Sequence, residues 1–346
     1  MQTEQAAQAR SLPIVPIDPL QASDEVIAEL AAQMLAARRE RNPEYPQLPL
    51  EELVKELRHP PESALKFGYW GIFQGKALLA RANAMVNLTE KDIPTVSATL
   101  YTRPEYRRMG LATRLLEPLR EFARQHGKTV LLIEATDHLP GGAAFLAHIG
   151  AEAGLIGHVN RLDLHALDRE RMQAWVRQGE ARAGGFQLQF FEGVPPDEWM
   201  DSYCKMMTHI METQPSGTIQ FPFQVITAPL VIAMFKMDED AGRRFWTLAA
   251  VEQASRRIVG YTEVVFHPAL PQLVYQGGTC VFTEFRNRGL GRWLKASMVL
   301  RLVEEVGLAR WVITSNADVN ASMLKINQEM GFQPAEANAF WQYRLP

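Results

Sequence analysis

The sequence has few cysteines, little net charge and no long apolar run. Its two cysteines, Cys204 and Cys280, lie in unrelated segments, so neither a disulfide framework nor a CxxC metal site is predicted. A formal net charge of −3 argues against a general nucleic-acid binder, which needs a basic surface. No apolar run approaches the roughly 18 residues of a membrane helix, and the first residues lack the apolar segment of a secretory signal. These absences favour a cytoplasmic protein with no nucleic-acid or membrane partner.

The composition is that of a globular protein, with 47% hydrophobic and 22% charged residues. At roughly 150 residues per domain, the length predicts two domains. We expect a flexible tail over 1–12, an N-terminal domain over 13–165, a linker helix over 166–185 and a C-terminal domain over 186–346. The linker is predicted from a charged helical pattern that ends in two glycines.

A duplicated motif supports this division. Its copies are Arg107-Arg108-Met109-Gly110-Leu111-Ala112 and Arg286-Asn287-Arg288-Gly289-Leu290-Gly291, which begin 179 residues apart. Each copy follows an apolar strand pattern and opens an amphipathic helix. The later pairs Gly150-Ala151 and Gly331-Phe332 are 181 residues apart. This nearly constant offset indicates a duplicated domain with the same order of strands and helices.

A glycine-containing loop between a strand and a helix favours anion binding. The first backbone N–H groups of the helix have no helical partner, and the helix dipole adds positive charge there. Three nucleotide sites compete for this interpretation. A Walker loop needs GxxxxGK[ST], which is absent, and a Rossmann fingerprint needs a third glycine, where the second copy has Leu294. A coenzyme A pyrophosphate loop fits both copies.

With these motifs the sequence resembles the GCN5-related N-acetyltransferases (GNAT), whose hallmark is (Q/R)-x-x-G-x-(G/A) between the fourth strand and the third helix. Asn316 and Asn320, followed by a closing Gly-Phe pair, resemble the later motif of the family. The resemblance covers 13–165 and 186–346. The sequence is similar to tandem members of the family, such as the mycothiol synthase-like and uncharacterised bacterial acetyltransferases. It implies an α/β fold of two tandem GNAT-type domains, each a mixed, mostly antiparallel sheet flanked by helices.

The resemblance also implies a donor, acetyl-CoA, bound along the end of the fourth strand and the loop that follows, with no metal. In the second copy the matching residues are Thr279, Cys280, Val281, Arg286, Asn287, Arg288, Gly289, Leu290, Gly291 and Arg292, and Asn316 and Asn320 would face the pantetheine arm. In the first copy they are Leu100, Tyr101, Thr102, Arg107, Arg108, Met109, Gly110, Leu111, Ala112 and Thr113.

The second copy is predicted to be catalytic. The family often places a tyrosine, the acid for the departing thiolate, five residues before the aromatic residue of the Gly-Phe pair. That position is Asn327 here, which can donate a hydrogen bond, and Leu146 in the first copy, which cannot. We therefore interpret the first copy as degenerate.

The acceptor implied by the family is a primary amine of a small molecule. A lysine-like amine titrates at about 10.4 and must lose a proton before it attacks. Glu263, in the middle of an apolar strand, is our candidate base, and a purely structural carboxylate is the alternative. Tyr261 shares a strand face with Glu263 by the period of two, and Tyr275 and Gln276 precede the donor strand, so we expect these three to bind the acceptor. Cys280 is interpreted as a buried hydrophobe and not as a nucleophile.

The sequence thus predicts transfer of an acetyl or other short acyl group from acetyl-CoA to an amine. Direct transfer in a ternary complex is favoured because no clear nucleophile is present. A non-catalytic acyl-CoA-binding or sensing protein is the alternative, because both tyrosines are missing. A nicotinamide-dependent reductase would need a dinucleotide in the same loop. Two domains in one chain are compatible with a monomer or a weak homodimer.

Overall fold

Mixed sheets flanked by helices make up the computed structural model of this protein. It describes residues 2–60, 65–88, 93–213, 217–219, 225–317 and 321–346. Contacts divide the chain into two compact units. The first unit is Met1–Ile156, Ser216–Pro222 and Asn338–Pro346, and the second unit is Gly157–Pro215 and Phe223–Ala337.

The first unit contains five helices and five complete strands within the described residues. The helices are α1 (Gln2–Ser11), α2 (Asp24–Arg41), α3 (Leu50–Arg58), α4 (Leu111–Gln125) and α5 (Pro140–His148). The strands are β1 (Ile14–Pro16), β2 (Leu65–Gln74), β3 (Ala77–Asn87), β4 (Thr95–Thr102) and β5 (Val130–Thr136). They lie in the order β1-β2-β3-β4-β5 and pair antiparallel, except for the parallel pair β4–β5.

The second unit repeats this arrangement. Its helices are α6 (Arg169–Arg182), α7 (Asp197–Thr213), α8 (Ala228–Asp240), α9 (Leu290–Glu305) and α10 (Ala321–Met330). Its complete strands are β7 (Phe186–Glu192), β8 (Arg244–Glu252), β9 (Ile258–Phe266), β10 (Leu273–Val281) and β11 (Trp311–Ala317). Here β10–β11 is the parallel pair in the order β7-β8-β9-β10-β11. The predicted α/β class with mostly antiparallel sheets is confirmed.

The last strand of each half of the sequence belongs mainly to the other unit. Strand β6 (Glu152–Asp163) pairs antiparallel with β11 through residues 157–163, and β12 (Gln333–Arg344) pairs antiparallel with β5 through residues 338–344. The predicted boundaries at 165 and 186 differ from this division. Sequence position does not reveal the difference, because strand pairing depends on partners far away in the chain.

Each parallel pair separates towards its carboxyl end. The β4–β5 register covers Thr95–Ala98 of β4, although that strand continues to Thr102. The β10–β11 register covers Leu273–Tyr275 of β10, although that strand continues to Val281. Neighbouring strands that pair at one end and part at the other leave a cleft, and in both units it opens towards the loop that carries the duplicated motif.

The helix after each loop packs on its sheet as the periodicity predicts. Helix α4 buries Leu111, Leu115, Leu119 and Phe122, and α9 buries Leu290, Leu294, Met298 and Leu302. Each fully buried leucine stabilises the fold by about 1.5–3 kcal/mol, so these faces anchor the loops in front of them. On the other face of the second sheet, α7 and α8 cover a core that contains Tyr203, Met206, Phe235, Tyr261 and Cys280.

Two predicted connecting segments are structural elements instead. Residues 2–11 form α1 and not a loose tail: Ala9 is buried, and Arg10 Nε donates to the Met109 carbonyl at 3.0 Å. The predicted linker helix is α6, a core element of the second unit that buries Met172 and Trp175. The sequence predicted the second of these helices but not its place in the core, because its charged pattern leaves only a narrow apolar stripe. No helix in the described ranges is long and apolar enough to cross a membrane.

Candidate functional site

The two motif loops have the same backbone. Gly110 (φ 77°) and Gly289 (φ 84°) cap α4 and α9 in the left-handed conformation and offer no side-chain cap. Two residues earlier, Arg108 and Asn287 both have φ 63°. A Cβ built at Gly289 meets no atom within 4 Å. Backbone N–H groups at each helix start therefore form a concavity of the kind that binds phosphates.

The first arginine of the motif fastens each loop to the end of its strand. Arg286 Nε donates to the Val281 carbonyl at 3.1 Å, and Arg107 Nε donates to the Thr102 carbonyl at the same distance. This bond fixes the path of the loop and directs the rest of the guanidinium outwards. The equal geometry in both units confirms the duplication inferred from the sequence.

Positively charged side chains of the loop in the second unit are exposed to solvent. Arg286, Asn287 and Arg288 are exposed, and Arg288 lies over the ring of Phe285 at 5.4 Å. Arg292 pairs with Glu329 and lies over Trp175. The remaining predicted donor residues are the partly exposed Gly289 and Gly291 and the buried Leu290. Exposed arginines beside unpaired N–H groups suit a diphosphate.

The loop of the first unit is partly neutralised. Glu40 Oε2 accepts from Arg107 Nη2 at 2.6 Å and from the Tyr101 hydroxyl at 2.9 Å. Arg10 of α1 lies 3.8 Å from a Cβ built at Gly110. Among the other predicted donor residues, Met109 and Leu111 are buried, Leu100, Thr102 and Ala112 are partly exposed, and Arg108 and Thr113 are exposed. The two loops therefore share a backbone but differ in net charge.

Strand β10 has a bulge where the cleft opens. The β9–β10 register shifts between Gln276 and Thr279, with Gly277 and Gly278 between them. Gln276 Nε2 donates to the Glu263 carbonyl at 2.7 Å, and Gln276 Oε1 accepts from the Lys295 ammonium at 3.2 Å. The predicted acceptor contact Gln276 is thus committed to internal bonds on the α9 face.

The same network reaches the donor strand. Thr279 bonds with the Thr262 hydroxyl at 2.7 Å, and the Val281 carbonyl holds the loop arginine. Cys280 points to the opposite face, into the core under α7, and burial raises the pKa of its thiol. The interpretation of Cys280 as a small buried hydrophobe fits this environment, and only its backbone faces the cleft.

Glu263 lies on β9 directly behind the bulge. Its side chain is 4% exposed, and its Oε1 accepts a hydrogen bond from the Tyr203 hydroxyl. Glu263 Oε2 lies 3.6 Å from a Cβ built at Gly277, which is exposed. Burial raises the pKa of Glu263 to about 8, although the hydrogen bonds from Tyr203 and the Gly278 N–H oppose that rise. The absence of a side chain at Gly277 leaves a thin window between this carboxyl group and solvent.

The two tyrosines that were predicted to bind the acceptor differ in exposure. Tyr261 does share the face of Glu263, but it is fully buried, with its hydroxyl 3.1 Å from the Met207 sulfur. The prediction that it lines an open cleft is wrong, because α7 covers that face of the sheet. Tyr275 is 51% exposed and free to contact a ligand.

The asparagines of the later motif form a chain. Asn327 is 2% exposed, and its Nδ2 donates to Asn316 Oδ1 at 2.8 Å. Asn160 of β6 donates to the same oxygen at 3.4 Å. The predicted catalytic role of Asn327 is not supported, because the inner face of α10 carries it into the core, where it orients Asn316. Asn320 lies outside the described residues.

Two buried polar residues were missed from the sequence. Tyr203, the partner of Glu263, lies 60 positions away on α7, and no local signal marks it. Lys295 is 1% exposed, and burial lowers its pKa to about 7. A signal for Lys295 did exist, since it stands between Leu294 and Met298 on the apolar face of α9. In the part of the chain that the structure describes, no group of three His, Cys, Asp or Glu side chains could hold a metal ion.

Comparison with known proteins agrees with this geometry. The sequence profile of the Acetyltransferase (GNAT) family matches residues 33–150, which lie in the first unit. A tandem GNAT protein from the clavulanic acid biosynthesis pathway, solved without AcCoA, has a TM-score of 0.76 at 25% identity, over 96% of this chain and 98% of that chain. The region 33–150 thus matches the GNAT family, and the whole chain is similar in fold to a tandem GNAT protein.

A second solved structure has a similar fold. It is a GCN5-related N-acetyltransferase from Sphaerobacter thermophilus, with a TM-score of 0.66 at 16% identity, over 96% of this chain and 97% of that chain. A search of curated proteins found no match to the sequence.

Proposed function

We propose that the second unit transfers an acetyl or other short acyl group from acyl-CoA to a primary amine of a small molecule. The observation that carries this proposal is the position of Glu263. Its buried carboxyl group lies behind a glycine bulge, on the strand next to the one whose end leads into the α9 loop. A proton acceptor beside the bulge in the middle of β10 and a phosphate-binding loop after the end of β10 thus lie on the same stretch of the sheet.

The residues present fit the donor. Acyl-CoA, when bound, supplies a thioester whose C–S bond is exchanged for a C–N bond, with release of the thiol. The start of α9 at Gly289, together with the exposed Arg286 and Arg288, would hold the diphosphate. Asn316, kept in place by Asn327, would face the pantetheine arm. Thr279 and Val281 line the end of the donor strand.

Glu263 supplies the proton acceptor. An alkyl amine is mostly protonated near neutral pH, so its attack on a carbonyl carbon requires loss of a proton. A carboxylate of ordinary pKa is a weak base for this task, whereas Glu263, with a pKa of about 8, is matched to it. Tyr203 holds the carboxyl group in place. No covalent acyl-enzyme is needed, because the thiol of Cys280 is buried in the core, and we therefore favour direct transfer in a ternary complex.

We assign the first unit a degenerate role. Glu40 neutralises Arg107 in its loop, and α1 lies against Met109. The acceptor amine, a cytoplasmic location and a monomer or weak homodimer belong to the same proposal.

A non-catalytic acyl-CoA sensor is the second candidate. One observation favours it: the position that would hold the acid for the departing thiolate is the buried Asn327, which is already bonded to Asn316. Coenzyme A is a fairly good leaving group, so this loss slows transfer without preventing it. Steady thiol release in the presence of any amine excludes a pure sensor.

The first test is calorimetric titration of acetyl-CoA. Gly289→Glu places a carboxylate where the diphosphate binds, and Gly110→Glu does the same in the first unit. Gly289→Ala is the matched control, since it carries the same backbone strain at φ 84° without the charge. We expect Gly289→Glu to abolish binding, and Gly289→Ala and Gly110→Glu to retain it. Binding that survives Gly289→Glu but not Gly110→Glu would assign the donor to the first unit and refute the proposal.

The second test is turnover. Thiol release is followed with acetyl-CoA and a panel of primary amines, in the wild type and in Glu263→Gln. Loss of a general base costs about 10²–10⁴-fold in rate. Equal turnover by Glu263→Gln would show that Glu263 is structural. Binding without turnover on any amine would favour the sensor.

A further inference from the structure

Arg81 is a buried cation without a carboxylate partner. It lies in the middle of β3 in the first unit and is 5% exposed. Its Nη1 donates to Asn83 Oδ1 at 2.6 Å, and its guanidinium lies 5.8 Å from the centre of the Tyr101 ring. Its Nε is buried and makes no hydrogen bond, and no described carboxylate forms an ion pair with it.

The electrostatic environment makes this arrangement costly. Burial, together with the neighbouring Arg38, lowers the pKa of Arg81 to about 10. A buried charge is usually compensated by an opposite charge, because desolvation is expensive. Glu40 is the nearby acid, but its carboxylate already accepts from Tyr101 and Arg107. The positive charge of Arg81 is thus left uncompensated within the described part of the first unit.

The duplication shows what this position does in the other unit. Arg81 lies opposite Tyr101 on the neighbouring strand, as Tyr261 lies opposite Cys280. Asn83, two residues on, corresponds to Glu263 by the same register. The first unit therefore has a cation and an amide where the second unit has a tyrosine and its buried carboxyl group. The exchange removes the acidic side chain and adds a basic one, which favours an anionic ligand in the first unit.

We propose that Arg81 forms a binding site for a small carboxylate ligand in the first unit. Asn83 occupies Nη1 and Nε is buried, so Nη2 is the N–H donor left for a ligand. A charge-assisted hydrogen bond from a guanidinium suits a carboxylate oxygen. Because Arg81 is only 5% exposed, a planar carboxylate reaches it more readily than a tetrahedral phosphate. The partly exposed rings of Tyr69 and Tyr101 flank Asn83 and Arg81 on the adjacent strands and suit a flat ligand. This site is independent of the acyl transfer proposed for the second unit.

The test uses the full chain, with sodium acetate and sodium benzoate as probes and sodium phosphate as the third arm. Ionic strength is held constant with chloride, and binding is followed by calorimetry and by the shift in melting temperature. The wild type should bind the carboxylates saturably and phosphate more weakly. Arg81→Met should lose at least about tenfold in carboxylate affinity, which is the contribution of one charge-assisted hydrogen bond. Arg39→Met on α2, an exposed arginine, is the matched control and should bind as the wild type does.

Stability separates a ligand site from a structural arginine. Without ligand, Arg81→Met should melt at or above the wild-type temperature, because it removes an uncompensated buried charge. Asn83→Asp supplies an internal carboxylate to Arg81, so it should also raise the melting temperature while it weakens binding of the probes. This second variant keeps the test decisive if Arg81→Met does not fold. The proposal is overturned if the wild type binds neither carboxylate, if phosphate binds more tightly than both, or if Asn83→Asp leaves binding unchanged.

Discussion

Replacing Glu263 by Gln should change the pH dependence of folding stability. In the folded protein the carboxyl group has a pKa of about 8, against 4.5 for an exposed glutamic acid. Between these values the folded state holds a proton that the unfolded state has released. The stabilising effect of that proton is complete below about pH 4.5 and is lost as the pH rises towards 8. Gln cannot titrate, and it reproduces the size and polarity of the protonated acid. The folding stability of the variant therefore does not fall in this way as the pH rises.

The magnitude follows from the shift. Each pH unit within the window corresponds to about 1.4 kcal/mol in the free energy of unfolding. From about pH 5.5 to about pH 7.5, Glu263→Gln should therefore gain about 2–3 kcal/mol relative to the wild type. Lys295 is present in both proteins, so its own titration cancels in the difference. The two proteins should be nearly equal in stability at the acid end, where both carry a neutral side chain.

The assay is urea denaturation across this pH range, followed by tryptophan fluorescence. Glu284→Gln is the matched control, because Glu284 is an exposed carboxylate of the same unit. Its difference from the wild type should stay flat with pH. Parallel curves for the wild type and Glu263→Gln would refute the argument, since they would mean that the carboxyl group is solvated in the folded state. If Glu263 is also the base, kcat/KM of the wild type should rise with an apparent pKa of about 8.

Four further outcomes are expected. Burial lowers the pKa of Lys295 from 10.5 to about 7, so wild-type stability should rise between these pH values, and Lys295→Met should abolish that rise in denaturation experiments. Gly278→Ala should cost about 1–3 kcal/mol of folding stability, because its Cβ would lie 2.6 Å from the Tyr261 hydroxyl. Gly277→Ala should leave the melting temperature nearly unchanged but slow acyl transfer, because the new methyl group would cover the carboxyl group of Glu263. Both cysteines are buried with raised pKa values, so a thiol-specific chromogenic reagent should react only after denaturation, and rapid labelling of the native protein would contradict the packing.

The sequence alone determined the features that depend on near neighbours. The loop at Gly289 follows from a strand, a short arginine- and glycine-containing segment and an apolar helix, all within about 30 residues, which is the length of one such unit. The faces of α4 and α9 follow from the helical period. The duplication follows from the constant offset between motifs. These features are local or periodic, so they can be recognised before any strand is paired.

Only the tertiary structure decided which face of each strand is closed. The period of two places Tyr261 and Glu263 on the same side, but it cannot show that α7 covers that side and that Tyr203 reaches Glu263. The exchange of β6 and β12 between the two units has the same origin, because the partners of both strands are distant in sequence. The sequence holds no local signal for Arg81, and only its surroundings show a buried charge without a carboxylate among the described residues. Burial and pairing are properties of the packed chain. They raise the pKa of Glu263 and leave Arg81 without an ion-pair partner among the described residues.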